Sequence, residues 1–147
     1  MVAWMTSTKS YTGRHMRFAD TTFWFSIQDR LDRSHEQAAA LVRAERGRVL
    51  TSNHVVGETW TTLRRRLGHA AAIGFLDRLA RLSNVDVAHV DQEAESEAWR
   101  WLRRHDEREY SFVDATSFAL MRRRRISEAL AFDGDFTAAG FVEVRPA

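Results

Sequence analysis

The stretch Ser111–Gly140, SFVDATSFALMRRRRISEALAFDGDFTAAG, decides how the rest of the chain is read. It spells a buried helix, a basic turn, a short apolar strand and two aspartates at the strand's end. Asp114 sits inside FVDATSFALM, a run apolar on nearly every side. An unpaired charge buried there is strongly unfavourable or is forced to protonate. A cation beside it removes the difficulty, and Asp133 and Asp135 add a second acidic group just downstream. A helix cap at Asp114 and turn roles for Asp133 and Asp135 explain the same letters. The remainder of the chain has to separate the two readings.

Upstream, apolar strand patterns alternate with helical ones. Met16–Ala19 reads as a strand ending at Asp20, followed by a helix with Phe23, Trp24, Phe25 and Ile27 on its apolar side. Ser34–Arg46 is a second helix, stopped by Gly47, and Arg48–Thr51 a second strand. From Ser52 a helix carries Val55, Val56, Trp60, Leu63 and Leu67 inward, with Glu58 facing partly the same way. After Gly68, His69–Leu82 places Ile73, Phe75, Leu76, Leu79 and Leu82 inward. Val85–Val90 alternates as a strand, and Asp91 caps a helix whose inner stripe is Ala94, Ala98, Trp101, Leu102 and His105. HDEREYS (105–111) is a charged connection. Strands at Glu128–Phe132 and near Phe141–Val144 complete an α/β fold, a central parallel sheet of four to five short strands flanked by helices in three layers.

With 147 residues, 44% of them hydrophobic, the chain is expected to form one domain over 16–147. Residues 1–15 are polar, without periodicity, and read as a disordered extension with Met16 as an alternative start. No cysteine is present, which excludes disulfides and thiolate metal sites. No apolar run approaches the roughly 18 residues of a membrane span, so the cytoplasm is the expected compartment and no membrane partner is expected. The net charge of +2 comes from Lys9 and Arg14 alone, since the first fifteen residues hold no acid. The body is therefore neutral, and distribution says more than total. Arginines run together at Arg64–Arg66, Arg103–Arg104 and Arg122–Arg125, as a solvated face or a phosphate-binding one.

Asp20 and Asp133 end strands, while Glu58 and Asp114 lie early in helices. Parallel strands bring their C-terminal ends to one edge, where ligands bind in open α/β sheets. Carboxylates gathered there repel one another unless a cation intervenes. Oxygen ligands without cysteine suit Mg²⁺ or Mn²⁺ rather than zinc, and such an ion assists phosphoryl chemistry.

The four motifs, taken in order, resemble those of PIN-domain ribonucleases of the VapC type, from bacterial toxin–antitoxin pairs. FADTTFW with Asp20 is similar to the family's opening Asp-Thr-Ser/Thr after a strand. TSNHVVGETW with Glu58 resembles its middle acidic helix, and SFVDATSFALM with Asp114 its third. FDGDFTAAGF, with Asp133, Asp135, Gly140 and Phe141, is similar to its C-terminal pattern. The likeness covers about Met16 to Pro146; the N-terminal extension departs from it. It implies a metal-dependent endoribonuclease toxin, homodimeric and restrained by a cognate antitoxin. Family members cut structured RNA, at tRNA anticodon stem-loops or the sarcin–ricin loop of large-subunit rRNA. It implies Asp20, Glu58, Asp114 and Asp133 as catalytic metal ligands.

Around these acids, Asp135 is a weaker candidate ligand than Asp133, which follows the strand directly. Thr21, Thr22 and Ser111 are supporting candidates that orient water or phosphate, or simply cap. Arg64, Arg65, Arg122, Arg123, Arg124 and Arg125 are the RNA-binding candidates, flanking the acids from two helix ends. Trp24, Trp60, Trp99 and Trp101 are candidates for base stacking, Trp101 fitting the core stripe and Trp99 falling off it. His54 is the histidine nearest a motif. A haloacid-dehalogenase-like phosphatase would use Asp133-x-Asp135-x-Thr137, but it needs a downstream lysine and the chain has none after Lys9. The alternative is a non-catalytic RNA- or protein-binding module of the same fold, which metal-dependent RNA cleavage would distinguish.

Overall fold

The computed structural model describes residues 16–147; the expected extension at 1–15 lies outside the described residues. Strands β1 (Arg17–Ala19), β2 (Val49–Ser52), β3 (Val85–Ala88), β4 (Glu128–Leu130) and β5 (Val142–Glu143) form one sheet in the order β3-β2-β1-β4-β5. Every pairing is parallel, with Phe18 opposite both Leu50 and Ala129, and Ser52 opposite Ala88. β1 leads to β2 through α1 (Thr21–Gln28) and α2 (His35–Ala44), and β2 to β3 through α3 (Asn53–Leu67) and α4 (His69–Arg81). The return from β3 to β4 uses α5 (Gln92–Arg104) and α6 (Phe112–Arg124), and a single turn, α7 (Asp135–Ala138), leads to β5. The direction of travel across the sheet reverses at β1. Right-handed crossovers therefore place α1–α4 over one face and α5–α7 over the other. The crevice between β1 and β4 is the switch point where such sheets bind ligands.

Local chemistry explains each start. Asp20, Ser52, Asp91 and Ser111 all cap helices by accepting a backbone N–H. At Ser111 the cap is reciprocal: Ser111 Oγ accepts from Asp114 N at 2.9 Å, and Asp114 Oδ2 accepts from Ser111 N at 3.0 Å. α6 is buried without interruption from Asp114 to Met121, as its all-round apolar sequence requires. A polar link ties α1 to the sheet. Trp24 Nε1 donates to Thr51 Oγ1 at 3.2 Å, and Thr51 Oγ1 donates to the Ala19 carbonyl at 2.9 Å.

The structure corrects four details of the sequence reading. Asp135 opens the short helix α7 instead of lying in a turn, because Gly134 takes φ 84° and redirects the chain upward into a helical turn. β4 stops at Leu130, since Phe132 N donates to Thr22 Oγ1 at 3.1 Å and no longer to a neighbouring strand. Leu67 and Ile73 are 42% and 37% exposed rather than inward, at the outer end of the α3–α4 hairpin where no sheet lies beneath. Trp24 is 2% exposed and committed to Thr51, so it belongs to the core and cannot stack on a base.

Candidate acidic centre at the sheet edge

Asp20 follows β1, Asp133 follows β4, and Asp114 lies in the first turn of α6. The switch point brings these three together: each offers a carboxylate oxygen, and these oxygens lie within 4.8 Å of one another. Asp20 is 2% exposed and Asp114 is buried, while Asp133 faces the cleft opening. Hydrogen bonds orient the inner two. Asp20 Oδ2 accepts from Thr22 Oγ1 at 3.1 Å and from Thr22 N at 3.3 Å. Thr22 Oγ1 in turn receives Phe132 N, so one hydroxyl clamps the ends of β1 and β4. Ser111 fixes Asp114 through the reciprocal cap.

The electrostatics of the group are repulsive. Burial holds the Asp20 carboxyl well above the ordinary carboxylate range, and Asp133 and Asp114 raise it further against the N–H groups of Thr21 and Thr22. Burial likewise raises Asp114, with Asp135 adding to it and the Ser111 N–H opposing. Asp133 is pushed up to about 6 by desolvation and by Asp135, Asp114 and Glu143, against the lowering effect of the Asp135 N–H. Glu58, half-buried on α3, is raised by burial and then by Asp114. Four acids that each resist ionisation share one field. A hard oxygen donor set without cysteine fits a divalent cation, which would relieve that field.

The remaining candidates fall into place around this core. Glu58 and Asp133 line one cleft of about 320 Å³ with Thr21, Thr22, Arg33 and Arg66. The Thr21 hydroxyl is buried there and forms no hydrogen bond among the described residues. Asp135 is set back: Arg108 grips it at 3.0 Å through Nε and at 2.9 Å through an η nitrogen. Trp101 is buried, and Trp99 is 53% exposed with its ring stacked at 4.1 Å on Phe112. His54 also packs on Phe112, at 5.8 Å, and turns to that ring.

The arginine runs do not behave as units. Arg66 reaches the acidic cleft, its guanidinium lying 5.2 Å over the Phe25 ring. Arg122–Arg125 end α6, which runs from the acidic edge to the start of β4, at the opposite edge of the sheet. There Arg123 pairs with Asp91, the N-cap of α5, and with Glu93 and Glu97 inside it. Arg33, Arg66 and Arg108 are the cations beside the acids; Arg66 belongs to a run already noted, whereas reading by runs overlooked Arg33 and Arg108. Arg33 and Arg108 stand alone among mixed charges in loops, and nothing in the letters marks them.

Comparison with known proteins agrees with this geometry. The PIN domain family pattern matches residues 17–142. The chain is 57% identical over 132 residues to the 23S rRNA-specific endonuclease VapC20 of Mycobacterium tuberculosis (strain CDC 1551 / Oshkosh), covering 89% of this chain and 99% of that protein. The crystal structure of M. tuberculosis VapC20, described as a sarcin–ricin loop cleaving toxin, superposes with a TM-score of 0.83 at 55% identity, over 89% of this chain and 99% of that one. A toxin–antitoxin complex from Klebsiella pneumoniae shares the fold alone, with a TM-score of 0.62 at 15% identity over 89% and 98% of the two chains. Acid-ended strands at the switch point, a parallel sheet in this order and a match along nearly the whole described chain have one meaning: the chain belongs to the PIN domain family, among its VapC toxins.

Proposed function

We propose that this protein is a metal-dependent endoribonuclease toxin that hydrolyses a phosphodiester bond in structured RNA. The observation that carries the reading is the meeting of three carboxylates from separate elements within 4.8 Å at the switch point. The likeness to VapC20 favours the sarcin–ricin loop over a tRNA anticodon stem-loop as the substrate. An antitoxin is the natural restraint on such an activity. The described residues act as a single nuclease domain, and no helix among them is long and apolar enough to cross a membrane.

Asp20, Asp114 and Asp133, with Glu58 across the cleft, would hold Mg²⁺ or Mn²⁺; Asp135 stands behind them as a reserve ligand. A divalent ion there supplies polarisation of a phosphoryl oxygen and acidification of water. Thr22 and Ser111 keep the Asp20 and Asp114 carboxylates aimed without changing charge. Thr21 offers its unpartnered hydroxyl to a substrate oxygen in the same cleft. Arg66, its guanidinium over the Phe25 ring, presents a fork to a phosphate flanking the scissile one. Glu58 and Arg66, eight residues apart on α3, are separated by about 12 Å along the helix axis.

The test uses purified protein and a sarcin–ricin stem-loop RNA. Cleavage should require Mn²⁺ or Mg²⁺, leave a 5′-phosphate and a 3′-hydroxyl, and vanish in Asp114→Asn with the fold intact. Undiminished cleavage in EDTA would refute the mechanism. We also propose a homodimer, with the exposed Leu67 and Ile73 of the α3–α4 hairpin in the contact. A monomer by light scattering at micromolar concentration would sink that part.

A further inference from the structure

Away from the acidic centre, α5 and α6 pack side by side over their lengths, and a groove of about 390 Å³ opens on their outer side. Its lining is Glu97, Arg100, Trp101, Arg104, Arg122 and Arg123. Four guanidinium groups thus face one carboxylate. That carboxylate is already engaged, because Glu97 Oε1 lies 3.5 Å from Arg123 Nε. Arg123 also takes Asp91 and Glu93, so three acids at the start of α5 converge on a single cation. Arg100, Arg104 and Arg122 are exposed, and none of them forms a side-chain hydrogen bond or ion pair among the described residues.

Helix dipoles account for basic residues in the last turn of each helix. They do not account for the convergence of arginines from two helices on one groove. Like charges brought together are unfavourable unless an anion joins them. Partial desolvation lowers the affinity of Arg122 for a proton; the attraction of Glu97 opposes that, and the neighbouring Arg104 adds a smaller lowering.

We propose that the α5–α6 groove is a second anion site that binds the phosphodiester backbone of RNA through Arg100, Arg104 and Arg122, remote from the acidic centre. Arg100 and Arg104 stand one helical turn apart, on the same side of α5. Arg122 approaches from α6 and completes a three-pronged set of planar forks, suited to phosphate oxygens. The indole of Trp101 floors the groove and keeps it from collapsing. The groove lies toward the far end of α6 from Asp114, whose position is eight residues and about 12 Å along the axis from Arg122. A backbone seated there belongs to a part of the RNA distant from the bond that is cut. An RNA that continues beyond the cut loop reaches both places at once, whereas a fragment of two or three nucleotides does not. The inference rests on the nuclease reading only for the identity of the polyanion.

The experiment measures binding of a sarcin–ricin stem-loop extended by its flanking helix to the full chain, in EDTA so that no cleavage occurs. It is repeated with Arg100→Gln/Arg104→Gln/Arg122→Gln at several salt concentrations. The triple variant should bind more weakly, and its log K against log salt slope should be shallower by about 2, at ~0.7–0.9 per lost phosphate contact. The matching triple Lys variant should retain most of the slope, since charge is kept. Mn²⁺ affinity and the thermal midpoint should match the wild type in both variants, which separates lost contacts from lost fold. Cleavage of the extended RNA should fall several-fold, and cleavage of an oligonucleotide too short to reach the groove should fall less. An unchanged salt slope overturns the proposal. So does polyglutamate that binds the wild type as tightly as RNA and with the same dependence on these arginines, which would make the groove a seat for an acidic protein. Failure of the wild type to cut any RNA with Mn²⁺ would refute the nuclease reading and leave the binding comparison intact.

Discussion

The Arg108 guanidinium donates through Nε to Oδ1 of Asp135 at 3.0 Å, and through an η nitrogen to the Asp133 carbonyl at 3.3 Å. A fixed positive charge therefore stands at the back of the acidic centre. Arg108→Gln removes that charge while keeping a donor. Because a cation there opposes a second cation, the variant should bind Mn²⁺ several-fold more tightly by titration calorimetry. Its stability should change little, as expected for a solvent-screened pair. Weaker Mn²⁺ binding would show instead that Arg108 serves to hold Asp135 in a ligating position.

Asp20→Asn should separate stability from activity. Asparagine caps a helix as well as aspartate does, so the bond from Thr22 is retained. The substitution removes a buried carboxylate that Asp133 and Asp114 repel. Without divalent ions the variant should be more stable than the wild type, because burial and the neighbouring carboxylates disfavour the ionised form. RNA cleavage should be lost. A destabilised metal-free variant would mean that the carboxylate is compensated within the chain.

The pH dependence of the metal-free protein follows from the same acids. Asp20, Glu58, Asp114 and Asp133 are all raised in the folded state, Asp133 to about 6. Above the ordinary carboxylate range of about 4 the folded chain holds protons that the unfolded chain has released. Stability therefore declines as pH rises from there through the folded values. The thermal midpoint in EDTA should drop as pH rises from about 4 through about 6, and Mn²⁺ should restore it most strongly at the upper end. A midpoint that climbs over this interval would contradict the arrangement of charges.

Thr51→Val tests the link between α1 and the sheet. It leaves the buried Trp24 Nε1 and the Ala19 carbonyl without their hydroxyl partner. The expected cost is about 1–3 kcal/mol by urea denaturation, with an unchanged m-value. In a Trp24→Phe background the same change should cost less, because the orphaned donor is gone. Equal costs in both backgrounds would show that the two side chains are not coupled.

Much of this protein was determined locally and is legible in the letters. Alternating strand and helix periods, the caps at Ser52, Asp91 and Ser111, and the all-round apolar α6 depend on near neighbours, and near neighbours are what sequence displays. The place of Asp20 and Asp133 at strand ends follows as well, since a parallel sheet assembles such ends along one edge. The order of the strands and the directions of long side chains depend on packing between distant segments, so tertiary structure alone decided their consequences. It seated Asp20, Asp114 and Asp133 within 4.8 Å, with Glu58 across the cleft. It gave Asp135 to Arg108, from a connection that reads only as charged. The run Arg122–Arg125 was divided in the same way: Arg123 was captured by acids about thirty residues away in sequence, while Arg122 was left in a groove with Arg100 and Arg104. Guanidinium groups on flexible stems go to whichever charges the fold brings within reach, and no spacing along the chain encodes that choice.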